Sequence, residues 1–415
     1  MNVATRLRDY WRIAQMMMAY ATIAVVWYFV LNQFIGIIRS RLHHIALPSI
    51  LTNDRPCARP ECDFSMFWPS GLLARSNEFA ALYKPESFWL FRQHILNQQA
   101  SRIDWIYPPP TLLLSLGISY LPFEVGFLIW SFVFLMLSIL LLRWARVSWL
   151  AITLTLLSPA TLWNFEMGQL GTIEGVVLAS GLLMIMKTPL SAGGLLGFLI
   201  FKPQAAFLLP VVVLSKHNRS AVFGAVLSAG LVIGVVSAML GWQAWIAFFT
   251  EGRVAAKEIL EKSFFVGYQQ FGVSVFWMLR SFGTGLFASY LGQGVSSVIA
   301  IFFTWQIWQE PEIRTQDRVS LTVFLSLMTT PYGFTYDMVG YCVALIILAE
   351  GRGWRIDLLD ALFWLWPALC PIVTVKIGVL LTPVIVALAV IRTWMRAGLT
   401  PQHFPVPSPV LPRAQ

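Results

Sequence analysis

The sequence predicts an all-α, polytopic transmembrane helix bundle with one large polar loop after its first span. Three observations lead there. Hydrophobic residues make up 57% of the 415 residues and charged residues 12%, where an ordinary soluble domain carries roughly 25% charged. The mean hydropathy is +0.69. Apolar runs of about 20 residues, the length that crosses a bilayer as a helix, recur along the chain.

The elements follow in order. Met16–Ile38 is too long for the apolar part of a cleavable leader and lacks a small-residue cleavage site, so it is expected as a retained first span. A polar stretch over 39–106 follows, with Asp54, Glu61, Asp63, Glu78, Glu86 and Asp104. Within it Asp63 heads a helical pattern of Phe64, Phe67, Leu72 and Leu73, where Asp suits an N-cap. Lys84-Pro85-Glu86-Ser87 opens a second helix, with Ser87 as its possible cap. Phe88, Trp89, Phe91, Ile95 and Leu96 form one face of that helix, and Arg92, Gln93, Asn97, Gln98 and Gln99 form much of the other. This pattern predicts an amphipathic helix lying in the membrane interface. Trp105-Ile106-Tyr107-Pro108-Pro109-Pro110 closes the loop, with aromatics expected at headgroup level and prolines suited to starting a helix.

Further spans are expected at about 123–142, 220–240, 284–308, 318–331, 336–349, 357–373 and 376–395, with shorter apolar helices at about 108–121, 149–163, 170–186 and 190–214. Residues 1–396 read as one integral membrane domain, and 397–415, with five prolines, as a Pro-rich disordered tail. No internal repeat of fixed period stands out.

The net charge of +9 is distributed in short Arg/Lys clusters beside apolar runs, not on one basic face, which points away from nucleic acid. Basic clusters mark cytoplasmic loops. Both termini are therefore expected inside, with 40–105, 242–270 and 331–337 outside. Between 108 and 219 either three or five crossings satisfy the ends. Three keeps Arg143 and Arg146 inside and requires re-entrant helices, to which Pro159, Pro203 and Pro210 are suited. Cys342 and Cys370 lie in apolar helices as packing residues, while Cys57 and Cys62 share the polar loop, where a small disulfide competes with two free thiols.

Several polar groups stand out against this background. Asp63, followed by aromatics, is placed to hold a carboxylate just above the membrane, where burial can bring it to a general base's working range. Gly168-Gln169, with Glu166 and Glu174 nearby, and Lys202-Pro203-Gln204 interrupt apolar segments. Ionisable groups at such depth usually face a cavity or a partner. Lys202 is thus expected either to neutralise a phosphate or to pair with Glu166 or Glu174. Thr330-Pro331-Tyr332-Gly333-Phe334-Thr335-Tyr336-Asp337 forms a third patch, in which Asp337 caps the next helix or binds a sugar. No phosphate-binding P-loop, dinucleotide fingerprint or D-x-D motif is present, which disfavours a nucleotide-sugar donor.

Taken in order, D-F-x-x-F-W-x-x-G from Asp63, Tyr83 and Pro85, Y-P-P-P from Tyr107, G-Q at Gly168, K-P-Q at Lys202 and T-P-Y-x-x-x-Y-D from Thr330 resemble glycosyltransferase family 87, also called DUF2029, over roughly 60–400. The resemblance implies a GT-C fold, a helical membrane bundle with a large first outer loop. It also implies transfer of mannose or arabinofuranose from a polyprenyl phosphate to a lipid-linked or cell-envelope acceptor, outside the membrane and without a cofactor. Asp63 then stands at the proposed base, and Lys202, Gln204, Gln169, Tyr332, Tyr336 and Asp337 match family motifs. Leu170 stands where the family often has Asn. Lys202, Arg92 and Arg280 are candidates to offset the charge of the leaving phosphate, and Tyr107 lies in the matched Y-P-P-P. No metal is expected, because the phosphate is already a good leaving group. The rival expectations are a flippase for an amphipathic lipid and a non-catalytic subunit of an envelope-glycan assembly.

Overall fold

The computed structural model describes residues 10–11, 13–25, 27–28, 31–32, 35–36, 63–96, 103–216, 218–264 and 267–399. Cys57 and Cys62, the first part of the polar loop, and the proline-rich tail beyond 399 lie outside the described residues. Every described element is helical, and the single β-bridge joins Gly272 to Phe334.

Helix α1 (Ile13–Val25) is apolar. Helices α2 (Phe64–Arg75), α3 (Phe79–Tyr83), α4 (Pro85–Leu96) and α5 (Pro109–Ile118) follow and pack into one layer around Phe67, Trp105, Tyr107 and Trp130. Next come α6 (Phe123–Trp144), α7 (Trp149–Leu156), α8 (Pro159–Met167), α9 (Gly171–Met184), α10 (Pro189–Leu196) and α11 (Leu209–Ser215), with two 3-10 turns, Gly197–Phe201 and Pro203–Ala206, between the last two. Helix α12 (Arg219–Ala247) continues through a wide turn into α13 (Arg253–Glu261). The chain ends with α14 (Val275–Ser281), α15 (Leu286–Gln309), α16 (Thr315–Ser326), α17 (Val339–Gly351), α18 (Leu358–Ile377) and α19 (Thr382–Arg396). Among the described residues four helices are long and apolar enough to cross a membrane: α6, α12 with its continuation, α15 and α18.

Local chemistry sets the boundaries. Ser148 accepts a hydrogen bond from the Ala151 N–H, and Asn218 accepts from that of Ala221, each satisfying a first-turn donor. Ser158 caps α8 with Pro159 at its first position, and α7 ends ahead of them at Leu156. Asp357 caps α18 while Asp360 reaches back to the Asp357 N–H. Pro203, which has no N–H, stands where the segment from α10 to α11 breaks.

One expectation is corrected here. Residues 242–270 were expected as a loop. The structure instead carries the helix through a kink at Gly241 (φ 70°), where a positive φ suits glycine, and on to Glu261. Contacts also fix how the helices after the polar loop begin. Gly71 of α2 packs on the Ser115 backbone of α5, and Trp68 donates to the Leu121 carbonyl. The Phe64 ring then meets Phe123 and Phe127 at 5.1 and 5.3 Å. Helix α5 therefore lies along α2, and α6 starts beside Phe64. From there α6, α7, α8, α9, α10 and α11 follow, and among the described residues of this stretch only α6 is long and apolar enough to cross a membrane.

Candidate active site

The site forms where three helix breaks meet the start of α2. Gly168 ends α8 in the left-handed region (φ 70°), a conformation that suits glycine, and its N–H bonds back to Asn164 and Phe165. A Cβ at 168 would lie 2.6 Å from the Cβ of Phe64, so only glycine lets α2 come this close. Trp130 Nε1 donates to the Gly168 carbonyl at 3.0 Å and pins the turn. The next residue, Gln169, is buried and faces Asp63.

Asp63 occupies the N-cap position of α2, but its side chain makes no cap bond. The capping expectation is therefore not met by the carboxylate. Its Oδ2 accepts from Gln169 Nε2 at 2.5 Å, and Gln169 Oε1 accepts from the Tyr107 hydroxyl at 2.8 Å. Burial pushes Asp63 up to about 7, against the lowering effects of the Gln169 hydrogen bond, Arg92 and Lys202, while Asp337 pushes it further up. Burial likewise raises the Tyr107 hydroxyl, so it remains a donor.

Arg92 was expected on the polar face of an interfacial helix. It is 1% exposed instead, because α4 buries a stripe of Phe88, Arg92 and Leu96 at four-residue spacing. Its Nε and Nη2 donate to the carbonyl and hydroxyl of Ser65 at 2.9 and 2.6 Å, and Nη1 to the Ile103 carbonyl at 3.4 Å. Burial lowers the guanidinium to about 10, which leaves it charged at neutral pH. It thus clamps the first turn of α2 from behind. Likewise α4 begins at Pro85, so Ser87 lies inside the helix and does not cap it. Trp105 and Tyr107, expected at headgroup level, are 1% and 6% exposed and meet the Phe67 ring in the core, Trp105 edge-on and Tyr107 tilted.

On the opposite wall Lys202 sits between the two 3-10 turns with its ammonium buried. It bonds the Asp337 carboxylate and lies 3.4 Å from Glu174 Oε2, so of the two partners named from sequence Glu174 is the one it meets. Asp337 also accepts from the Phe334 N–H at 3.0 Å and closes the turn before α17. Gly171 and Gly175 of α9 let the backbone at Tyr336 and Gly340 approach closely, which brings the third motif to the first two.

These walls enclose a cavity of about 410 Å3, within the usual range for small-molecule sites. Asp63, Tyr107, Lys202, Gln204, Tyr332 and Tyr336 all line it. Asp337 lines a smaller pocket of about 50 Å3 that shares Lys202, Gln204 and Tyr332. Neither Arg92 nor Arg280 lines either cavity. Arg280 donates to the carbonyls of Thr284 and Lys262 at 3.0 and 3.2 Å, so it anchors the backbone of a residue that does reach the cavity.

That residue, Lys262, was missed from sequence. Its ammonium is one-third exposed and lies 3.5 Å from Asp104 Oδ2, and both residues line the large cavity. The available signal was the charged, amphipathic pattern of Arg253–Glu261, just before it. Among the described residues no group of three or more His, Cys, Asp or Glu side chains forms a metal-ligand set.

A model of glycosyltransferase family 87 matches residues 105–331. The matched stretch carries Tyr107, Gln169, Lys202, Gln204, Lys262 and Arg280, while Asp63 lies before it and Tyr332, Tyr336 and Asp337 just after. No curated protein and no solved structure matches the chain.

Proposed function

Because the chain belongs to glycosyltransferase family 87, we propose that this membrane glycosyltransferase moves a mannose-like or arabinofuranose-like sugar from a polyprenyl phosphate to a lipid-linked or cell-envelope acceptor. The reaction takes place on the extracytoplasmic face, with Asp63 as general base. The observation that carries this reading is a carboxylate pushed up to about 7 at the wall of a cavity that also holds two lysines. A base with a pKa near the working pH is both available and strong enough to take a hydroxyl proton.

In the reaction, an acceptor hydroxyl oxygen attacks the anomeric carbon of the donor. The bond from that carbon to the phosphate oxygen breaks, and its electron pair leaves with the phosphate. The hydroxyl proton goes to Asp63. One displacement inverts the anomeric configuration. Gln169, fixed by Tyr107, holds the carboxylate in place, so little reorganisation accompanies the transfer.

The leaving phosphate gains charge and needs a cation. Lys202 is shared between two carboxylates, which leaves it little charge to offer. Lys262 is partly exposed and, among the described residues, meets a single carboxylate, at 3.5 Å, so it takes the phosphate in this reading. Lys202 instead shapes the sugar side of the cavity with Gln204, Tyr332 and Tyr336, and Asp337 holds it there.

The test is transfer itself. Purified protein is incubated with a panel of radiolabelled polyprenyl phosphosugars and membrane-lipid acceptors. Label moving to an acceptor supports the reading. Absence of transfer across a broad panel by folded protein overturns it.

A further inference from the structure

A second cavity, of about 160 Å3, lies between α1, α7, α17, α18 and α19. It sits at the end of α17 remote from Asp337, one helix length or roughly 20 Å away. Its walls are apolar, with Ile23, Leu154, Leu345, Leu348 and Phe363. Five charged groups line it: Arg352, Arg355, Arg392, Arg396 and Asp360.

The carboxylate is already taken. Asp360 is held by Arg392 and Arg396, which also bind Asp357. Arg352 and Arg355 are left to face the cavity. Arg352 lies 3.6 Å from Asp317 Oδ1, beyond hydrogen-bond reach, and its buried Nη2 has no hydrogen-bond partner among the described residues. The indole Nε1 of Trp364, on the same cavity, is also buried with no acceptor among the described residues. Buried donors usually find acceptors, and two orphans in one pocket call for a ligand that supplies oxygens.

The backbone is also shaped around this pocket. Gly353 and Trp354 both have positive φ, 65° and 62°, and for a tryptophan that is a strained conformation. The Trp354 carbonyl accepts from the Tyr20 hydroxyl at 2.7 Å, which ties α1 to the rim.

We infer that this pocket binds the phosphate head of an anionic membrane phospholipid. Arg352 and the Trp364 indole donate to the phosphate oxygens, and exposed Arg355 adds charge at the mouth. The first carbons of one chain enter between Leu345, Leu348 and Phe363, and the remainder runs along the exposed apolar surface of the bundle. The apolar walls favour a lipid over a free anion. The inference does not depend on the sugar-transfer reading, since its readout is binding.

Full-length protein in a neutral detergent is titrated with phosphatidylglycerol, with phosphatidylcholine of the same chains, and with inorganic phosphate. Bound lipid is read by native mass spectrometry and by the thermal midpoint. Phosphatidylglycerol is expected to be retained as one tight lipid and to raise the midpoint. Arg355→Gln weakens its binding about tenfold, as loss of a charge-assisted contact does. Leu345→Trp, which fills the apolar part, weakens it at least as much, with folding checked by the unliganded midpoint. Equal binding of the two lipids, or unchanged binding in both variants, overturns the inference. An equal shift with inorganic phosphate overturns it in favour of a simple anion site.

Discussion

Gln169 Nε2 donates to Asp63 Oδ2 at 2.5 Å, joining residues 106 positions apart at the wall of the large cavity. A hydrogen bond to the charged form holds a carboxyl pKa down. Gln169→Leu is therefore expected to move the acid limb of the pH–rate profile to higher pH. A profile that only falls in height, with its limb unmoved, would show that Gln169 does not act through Asp63.

Asp63→Asn keeps the shape of the side chain and removes the base. Turnover should fall by about 10²–10⁴-fold while donor binding is retained. The wild-type rate should rise with pH through about 7 as Asp63 loses its proton. The stability effect has the opposite sign. A carboxyl raised by folding binds its proton more tightly in the folded state, so stability falls as pH rises from about 4 toward about 7. Thermal midpoints should show Asp63→Asn relatively more stable at pH 8 than at pH 5.

The two lysines should separate by phenotype. Lys262→Gln leaves the fold intact and raises the KM for a polyprenyl phosphosugar, with loss of salt sensitivity in donor binding. Lys202→Met leaves Glu174 and Asp337 buried without their cation, a change that costs about 3–5 kcal/mol. It should appear as a lowered thermal midpoint and poor expression. The opposite assignment would return the phosphate role to Lys202.

Arg92→Met removes donors from the Ser65 and Ile103 carbonyls, which costs about 1–3 kcal/mol for each buried group left unsatisfied. Since the guanidinium also lowers the pKa of Asp63, the acid limb should move to higher pH together with the loss of stability. Arg92→Lys, which keeps the charge and loses the fork, should restore the limb more than the midpoint.

Gly168→Ala places a methyl 2.6 Å from Phe64 and forces a positive φ on a residue with a side chain. A cost of about 1–3 kcal/mol is expected, with reduced turnover because the displaced partner is the neighbour of Asp63. Thermal midpoint and turnover, measured together, check it.

The helices were legible because apolar runs of bilayer length leave few alternatives, and α6, α15 and α18 fall near their expected bounds. Residues of the site were legible by type, since Lys202 and Asp63 are conspicuous in an apolar chain. Their partners were not. The hydrogen bond from Gln169 to Asp63 and the pairing of Lys202 with Asp337 depend on backbone approaches at Gly168 and Gly171 that no local pattern encodes. Arg92 misled because a buried guanidinium satisfied by carbonyls looks, in sequence, like a solvated one. Lys262 was hidden because its segment was expected as a loop, whereas α12 continues past Gly241.

The tight seating of Gly175 on Gly340 has a mechanical consequence. With backbone resting on backbone, no side chain intervenes to act as a bearing, so α9 and the start of α17 behave as one plate beneath the reaction chamber. Across the chamber, α13 is tied by side chains instead: the Tyr332 hydroxyl donates to the Ala256 carbonyl and the Tyr268 hydroxyl to that of Ile259. Shape on that side can be altered by changing one hydroxyl, whereas the α9–α17 face has no side chain to change.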